Sequence, residues 1–158
     1  MNSEHSRIEW KPLLGFGALT LGTGGLAAFL TRTGTKEYAQ LAQPSFAPPD
    51  WVFPVVWSIL YAVMAVSAYR VTRTGRHRGA MALFGTQLAV NFFWPLIFFN
   101  LKAFWAAFYW LLLLIALIAA MIAAFARIDR PAAALQIPYV LWCGFAAVLC
   151  RAVALLNP

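Results

Sequence analysis

Long apolar runs, separated by mostly short polar segments, are the dominant pattern along this chain. A transmembrane helix needs about 20 mostly apolar residues, and five windows reach that length: residues 12–31, 51–71, 80–100, 103–126 and 132–155. Short connections are typical of helices that return directly across a bundle. The pattern predicts an all-α membrane protein, a single domain over residues 1–158 built as a bundle of five transmembrane helices.

One predicted connection, residues 32–50, is longer than the others. Its second half contains three prolines, which fix φ and stiffen the backbone, and it carries the apolar side chains of Tyr38, Leu41 and Phe46. Long ordered loops over a bundle are commonly functional. We therefore predict that this first loop folds over the mouth of the bundle as a lid.

Composition supports membrane insertion. The chain is 63% hydrophobic and 11% charged, with a mean hydropathy of +0.73, whereas a soluble domain is about 45–50% apolar and about 25% charged. The net charge of +7 raises the question of nucleic-acid binding. The basic residues lie at the ends of the apolar windows, as orientation signals do, so we predict membrane lipid and no nucleic acid as a partner.

The distribution of basic residues predicts the orientation in the membrane. With five spans the termini lie on opposite sides, and eight basic residues fall on the side of the N-terminus against four on the other. The eight are Arg7, Lys11, Arg70, Arg73, Arg76, Arg78, Arg127 and Arg130, and the four are Arg32, Lys36, Lys102 and Arg151. Basic residues favour the cytoplasmic side. The N-terminus is predicted to be cytoplasmic, in a bacterial inner membrane.

Acidic residues are absent from the predicted spans. All five, Glu4, Glu9, Glu37, Asp50 and Asp129, lie outside the windows. An ion-coupled transporter normally keeps a titratable group at membrane depth. The sequence therefore argues against a proton-driven pump, and it predicts neither a metal site nor a cofactor.

Polar and aromatic side chains recur on one face of three predicted helices. Their spacing of i, i+3 or i+4, and i+7 is that of a helical face. The residues are Trp57 and Tyr61 in the second window, Gln87, Asn91 and Trp94 in the third, and Tyr139, Trp142 and Ala146 in the fifth.

Two interpretations of these faces stay open. The amides of Gln87 and Asn91 need partners in an apolar medium, so the faces would serve helix packing, with the aromatic rings as interfacial anchors. Alternatively, three such faces in one bundle enclose an aromatic cavity with a few hydrogen-bonding groups, the usual composition of a small-molecule pocket. Trp51, at the start of the second window, would then stand at its mouth.

Small residues suggest a further contact between helices. Ala18 and Gly22 in the first window, and Gly85 and Ala89 in the third, are pairs of small residues four positions apart. Such pairs let helices approach closely, either within one bundle or between subunits. A homodimer through the third span is predicted on this basis.

Three segments together resemble a known family. They are residues 43–61 (QPSFAPPDWVFPVVWSILY), 87–99 (QLAVNFFWPLIFF) and 138–142 (PYVLW). In order and spacing they are similar to the tryptophan-rich sensory protein and translocator protein family, also called the peripheral benzodiazepine receptor family. The resemblance covers nearly the whole chain. It departs at Phe46, where family members commonly have Trp, at Phe92 after the pocket amide, and at Cys150, where an Asn is usual.

The resemblance implies a five-helix bundle, often dimeric, with a pocket that opens toward the first loop. Family members bind tetrapyrroles such as protoporphyrin IX and haem, and synthetic ligands of the isoquinoline carboxamide and benzodiazepine classes. By motif position, Trp57 and Trp142 match pocket tryptophans implicated in light-dependent porphyrin breakdown, and Asn91 matches the pocket amide. Phe46 and Trp51 belong to the first segment and are expected at the pocket.

Three functions remain after the sequence is considered alone. The first is a binding protein or sensor for tetrapyrroles, and the second is light- and oxygen-dependent porphyrin degradation with Trp57 and Trp142 as candidate catalytic residues. The third is transport of a small molecule or lipid. The sequence supplies no general base, nucleophile or metal ligand set, so in the second function the bound porphyrin itself would be the photosensitiser.

Overall fold

Six helices form five membrane-spanning units in the computed structural model, which describes residues 8–75 and 77–158. Glu4, Arg7 and Arg76, which entered the arguments on charge, lie outside these residues. The helices are α1 (Trp10–Tyr38), α2 (Val52–Thr72), α3 (Arg78–Pro95, continued by a π-helical turn over Leu96–Asn100), α4 (Phe104–Ala126), α5 (Arg130–Leu135) and α6 (Ile137–Leu156). Five units, with α3 extended to Asn100 and α5 joined to α6, are long and apolar enough to cross a membrane.

The first helix is longer than its apolar run predicts. The window ended at residue 31, but α1 continues through Tyr38, so the predicted loop 32–50 is wrong in its first part. Close packing explains the extension. A Cβ at Gly34 would come within 2.5 Å of the Phe99 carbonyl oxygen, and the Tyr38 ring packs against Phe98 and Phe99 at 5.3 and 5.4 Å. Polar residues therefore do not end α1 at residue 31, because its side chains continue to pack against the end of α3.

The fifth predicted window is two helices rather than one. α5 ends at Leu135 and α6 begins at Ile137, with the buried Gln136 between them. Pro138 has no backbone N–H to donate and its ring crowds the preceding turn, which accounts for the break. The carboxylate of Asp129 accepts from Ala132 N at 3.0 Å and caps α5, and it also pairs with Arg70 on α2 at 3.0 Å.

The helices are arranged as a closed ring. α1 packs against α2 and α3, α3 against α4, α4 against α5 and α6, and α5 against α2. Within α4, which is apolar on every face, one set of side chains is fully buried, at the spacing of a single helical face: Leu111, Leu114, Ile118, Met121 and Phe125. The ring leaves a space between the ends of α2 and α6.

Candidate ligand-binding site

A cavity of about 700 Å³ occupies that space at the end of the bundle where α1 ends and α2 begins. Its walls come from α1, α2, α3 with its π-helical turn, and α6, and the loop between α1 and α2 contributes Ala39 and Asp50. The volume lies within the range of about 300–1,000 Å³ for small-molecule pockets. Aromatic rings supply much of the wall: Tyr38, Phe53, Trp57, Tyr61, Trp94, Phe98 and Phe99.

The α2 wall is built around Trp57 and Tyr61. Their ring centroids are 5.5 Å apart, and the Trp57 ring meets Tyr139 of α6 edge-on at 6.2 Å. Two small residues of α1 make this arrangement possible. Gly24 lies against the Tyr61 ring, where a Cβ would overlap it, and the hydroxyl of Thr20 donates to the Tyr61 carbonyl at 2.8 Å.

A chain of hydrogen bonds runs from the cavity wall into the bundle. The Tyr61 hydroxyl donates to Asn91 Oδ1 at 2.6 Å, Asn91 Nδ2 donates to Tyr139 Oη at 2.8 Å, and the Tyr139 hydroxyl donates to Gln87 Oε1 at 2.8 Å. Tyr61 and Asn91 line the cavity. Tyr139 and Gln87 are buried behind them and are not among the lining residues. The amides thus find partners across helices, as an apolar medium demands.

The α3 wall is an aromatic stack. The Trp94 ring lies parallel to that of Phe98 at 5.4 Å and edge-on to that of Phe99 at 6.3 Å. Trp94 is buried, and its indole N–H has no hydrogen-bond partner among the described residues. The stack holds the ring in one orientation at the cavity wall.

Charged residues stand at the mouth. Arg32 and Lys36, one turn apart on the solvent-exposed end of α1, both line the cavity, and Asp50 lies there as well. The Arg32 guanidinium is also 4.5 Å from the centroid of the Phe29 ring. Lys36 and Arg32 have no carboxylate within 4.0 Å among the described residues. The mouth therefore presents two cations that remain available to an anionic group.

Five of the ten predicted site residues do not line the cavity: the buried Gln87 and Tyr139, described above, and Trp142, Phe46 and Trp51. Trp142 is not a lining residue; its ring packs edge-on at 5.9 Å against that of Phe53, which does line the cavity. Phe46 and Trp51 are 48% and 68% exposed and do not line the cavity. Ala146, in contrast, lies in the α6 wall as the helical spacing predicted.

Several lining residues were not predicted from the sequence. The apolar part of the α1 wall was missed, because Gly24, Ala27, Ala28 and Thr31 have no distinctive chemistry in an apolar run. Cys150 lines the cavity and donates through its thiol to the Phe104 carbonyl at 3.4 Å. Its position one turn after Ala146 on the same face of α6 was the one available signal.

The loop between α1 and α2 is tied to the end of α6. The side chain of Asn157 accepts from Ala42 N at 3.2 Å and donates to the Ala42 carbonyl at 2.9 Å. Leu41 packs against the core, whereas Phe46 is about half exposed. The loop therefore lies next to the mouth and is anchored there at one point.

Comparison with known proteins finds similarity over nearly the whole chain. The sequence model of the TspO/MBR family matches residues 16–156. A tryptophan-rich protein TspO from Chlorobaculum tepidum is 35% identical over 144 residues, which cover 89% of this chain and 90% of that protein. The translocator protein of Homo sapiens is 35% identical over 146 residues, 89% of this chain and 86% of that protein. A tryptophan-rich sensory protein from Cereibacter sphaeroides is 35% identical over 105 residues, 66% of each chain.

Proposed function

The chain belongs to the TspO/MBR family, and from this membership and the cavity we propose that it is a membrane-embedded binding protein or sensor for tetrapyrroles such as protoporphyrin IX and haem. The names of its relatives, translocator protein and sensory protein, are compatible with capture of a ligand. Synthetic ligands of the isoquinoline carboxamide and benzodiazepine classes would occupy the same cavity.

The observation that carries this proposal is the aromatic cavity with cations at its mouth. A tetrapyrrole macrocycle is large, flat and apolar, and aromatic rings such as Trp57 and Trp94 offer it surfaces to stack on. Its propionates are at one edge, and Arg32 and Lys36 stand at the cavity mouth. A ligand of that shape would place its ring in the apolar interior and its charges in water.

The cations at the mouth would orient the ligand more than they would add to its affinity. Both are exposed, and an exposed ion pair contributes about 0–1 kcal/mol and is screened by salt. Burial of the macrocycle among aromatic side chains must therefore supply most of the affinity.

The location of the protein is part of the proposal. We propose that the protein lies in the inner membrane of a bacterial cell. The basic count favours a cytoplasmic N-terminus, which would put the cavity mouth on the other side. A homodimer would use α3, since Gly85 and Ala89 both lie on its exposed surface, where small residues permit close approach.

Titration of the purified protein with protoporphyrin IX tests the proposal. We expect saturable quenching of tryptophan fluorescence, weakened several-fold or more by Trp57→Ala because a stacked aromatic contributes about 0.5–1.5 kcal/mol beyond its buried area. Trp105→Ala is the control, because Trp105 is exposed on α4 and does not line the cavity. Equal curves for wild type and Trp57→Ala would contradict the proposal.

The same titration under illumination tests the enzymatic alternative. If Trp57 supports light-dependent oxidation of the bound porphyrin by oxygen, the porphyrin absorbance will fall with time in wild type and will persist in Trp57→Ala at saturating porphyrin. Stable absorbance in both proteins would leave binding as the function of the cavity.

A further inference from the structure

The hydrogen-bonded chain Tyr61–Asn91–Tyr139–Gln87 has a direction, because each hydroxyl has one proton to donate. In the structure the Tyr61 proton goes to Asn91 Oδ1, the Asn91 amide donates to Tyr139, and the Tyr139 proton goes to Gln87 Oε1. With its proton committed, Tyr61 has only oxygen lone pairs left for the cavity. The inner wall then accepts a hydrogen bond from a ligand and cannot donate one through this hydroxyl.

A second direction is available to the same side chains. Rotation of both carboxamides by 180° exchanges their oxygen and nitrogen atoms, and the terminal torsion of Asn and Gln is broad and roughly two-fold. Gln87 would then donate to Tyr139, Tyr139 to Asn91 Oδ1, and Asn91 to Tyr61. In that state the Tyr61 proton is free to point into the cavity and donate.

The two directions differ at the far end of the chain in which atom of Gln87 faces Tyr139. In the observed direction Gln87 Nε2 is buried without a hydrogen-bond partner among the described residues. In the reversed direction Oε1 would be the atom without one.

We infer that this chain sets whether the cavity accepts or donates a hydrogen bond at its inner end, and that Gln87, which does not line the cavity, is the positioning residue that fixes the direction. The inference rests on the proposed function of the cavity as the ligand site. Successive hydrogen bonds polarise one another, so the state of Gln87 reaches Tyr61 through Asn91 and Tyr139. Gln87 thereby selects ligands by their donors and acceptors.

Replacing Gln87 by a side chain without a strong hydrogen-bond acceptor should reverse the chain. In Gln87→Met the Tyr139 proton loses its acceptor, and Asn91 Oδ1 is then the acceptor that remains within reach. The Asn91 amide then donates to Tyr61, whose proton turns to the cavity. The variant should therefore favour ligands that accept a hydrogen bond.

Three flat tricyclic probes of nearly equal size measure this preference. Carbazole carries an N–H donor, 9-fluorenone carries a carbonyl acceptor, and fluorene carries neither. We expect wild type in lipid nanodiscs to bind carbazole about 3- to 10-fold more tightly than 9-fluorenone, the effect of one net hydrogen bond, and Gln87→Met to abolish or invert that ratio. A purely structural role for Gln87 would weaken all three probes alike.

Two control variants locate the effect. Gln136→Met makes the same chemical change at another buried amide, between α5 and α6, and should leave the carbazole to 9-fluorenone ratio unchanged. In a Tyr61→Phe background, Gln87→Met should no longer alter the ratio, since the cavity end of the chain is gone.

The outcomes separate this inference from the proposed function. If wild type binds protoporphyrin IX and the probe ratio is the same in wild type and Gln87→Met, the inference is wrong and the proposed function stands. If wild type binds neither protoporphyrin IX nor any of the three probes, the proposed function fails and the inference fails with it.

Discussion

Gly24 of α1 lies in contact with the ring of Tyr61 on α2, so closely that a Cβ at position 24 would overlap the ring. The hydroxyl of the same Tyr61 donates to Asn91 Oδ1 at 2.6 Å. The absence of a side chain at position 24 thus gives room to the ring with which the polar chain begins at the cavity wall.

The first prediction concerns that contact. Gly24→Ala should destabilise the protein by about 1–3 kcal/mol, the usual cost of overpacking, and should weaken protoporphyrin binding by displacing Tyr61. Gly25→Ala is the control, because a Cβ there meets nothing within 4 Å. Thermal unfolding in detergent measures stability; equal midpoints for the two variants would contradict the prediction.

The second prediction concerns the mouth cations. Arg32→Gln combined with Lys36→Gln should weaken protoporphyrin IX binding about 2- to 5-fold at low salt, since exposed pairs contribute little each. The difference from wild type should shrink at high salt because of screening.

The control for the mouth cations is Lys102→Gln, since Lys102 pairs with Glu37 at 2.7 Å and does not line the large cavity. A porphyrin whose propionates are esterified should bind wild type and the double variant equally. A loss of affinity that is independent of salt and of esterification would show that the two residues act through packing.

The third prediction is the orientation. A reporter fused after Pro158 should be active only in a periplasmic format, because the basic residues favour a cytoplasmic N-terminus. Neutralising Arg70, Arg73, Arg76 and Arg78 should scramble this result, since they are half of the basic residues predicted inside. Reporter activity in the cytoplasmic format alone would reverse the assignment.

The fourth prediction is that the loop between α1 and α2 acts as a lid. Without ligand, some of its amides should exchange hydrogen slowly, because burial of one apolar side chain stabilises the closed loop by about 1.5–3 kcal/mol. With porphyrin bound, exchange should be slower still. Asn157→Ala removes the anchor at Ala42 and should raise exchange in the unliganded protein. If the loop exchanges freely with and without porphyrin, it is only a tether.

The sequence by itself determined the five spans. In an apolar medium every backbone N–H and C=O must be paired within its own helix, so the length and hydropathy of a local run are sufficient to locate a span. The spacing of Gln87 and Asn91, four residues apart, likewise predicted which face of α3 turns inward, because an amide has no partner in lipid.

Only the tertiary structure decided which neighbours each inward-facing side chain contacts. Trp57 and Trp142 both lie on aromatic helical faces in the sequence, yet Trp57 lines the cavity, whereas Trp142 packs on Phe53 and does not line it. Gln87 and Asn91 occupy one face, yet only Asn91 lines the cavity. The extension of α1 to Tyr38 depends on Gly34 fitting against Phe99. These outcomes follow from contacts between residues on different helices, where separations of a few ångströms decide which atoms touch, and hydropathy along one helix carries no information about them.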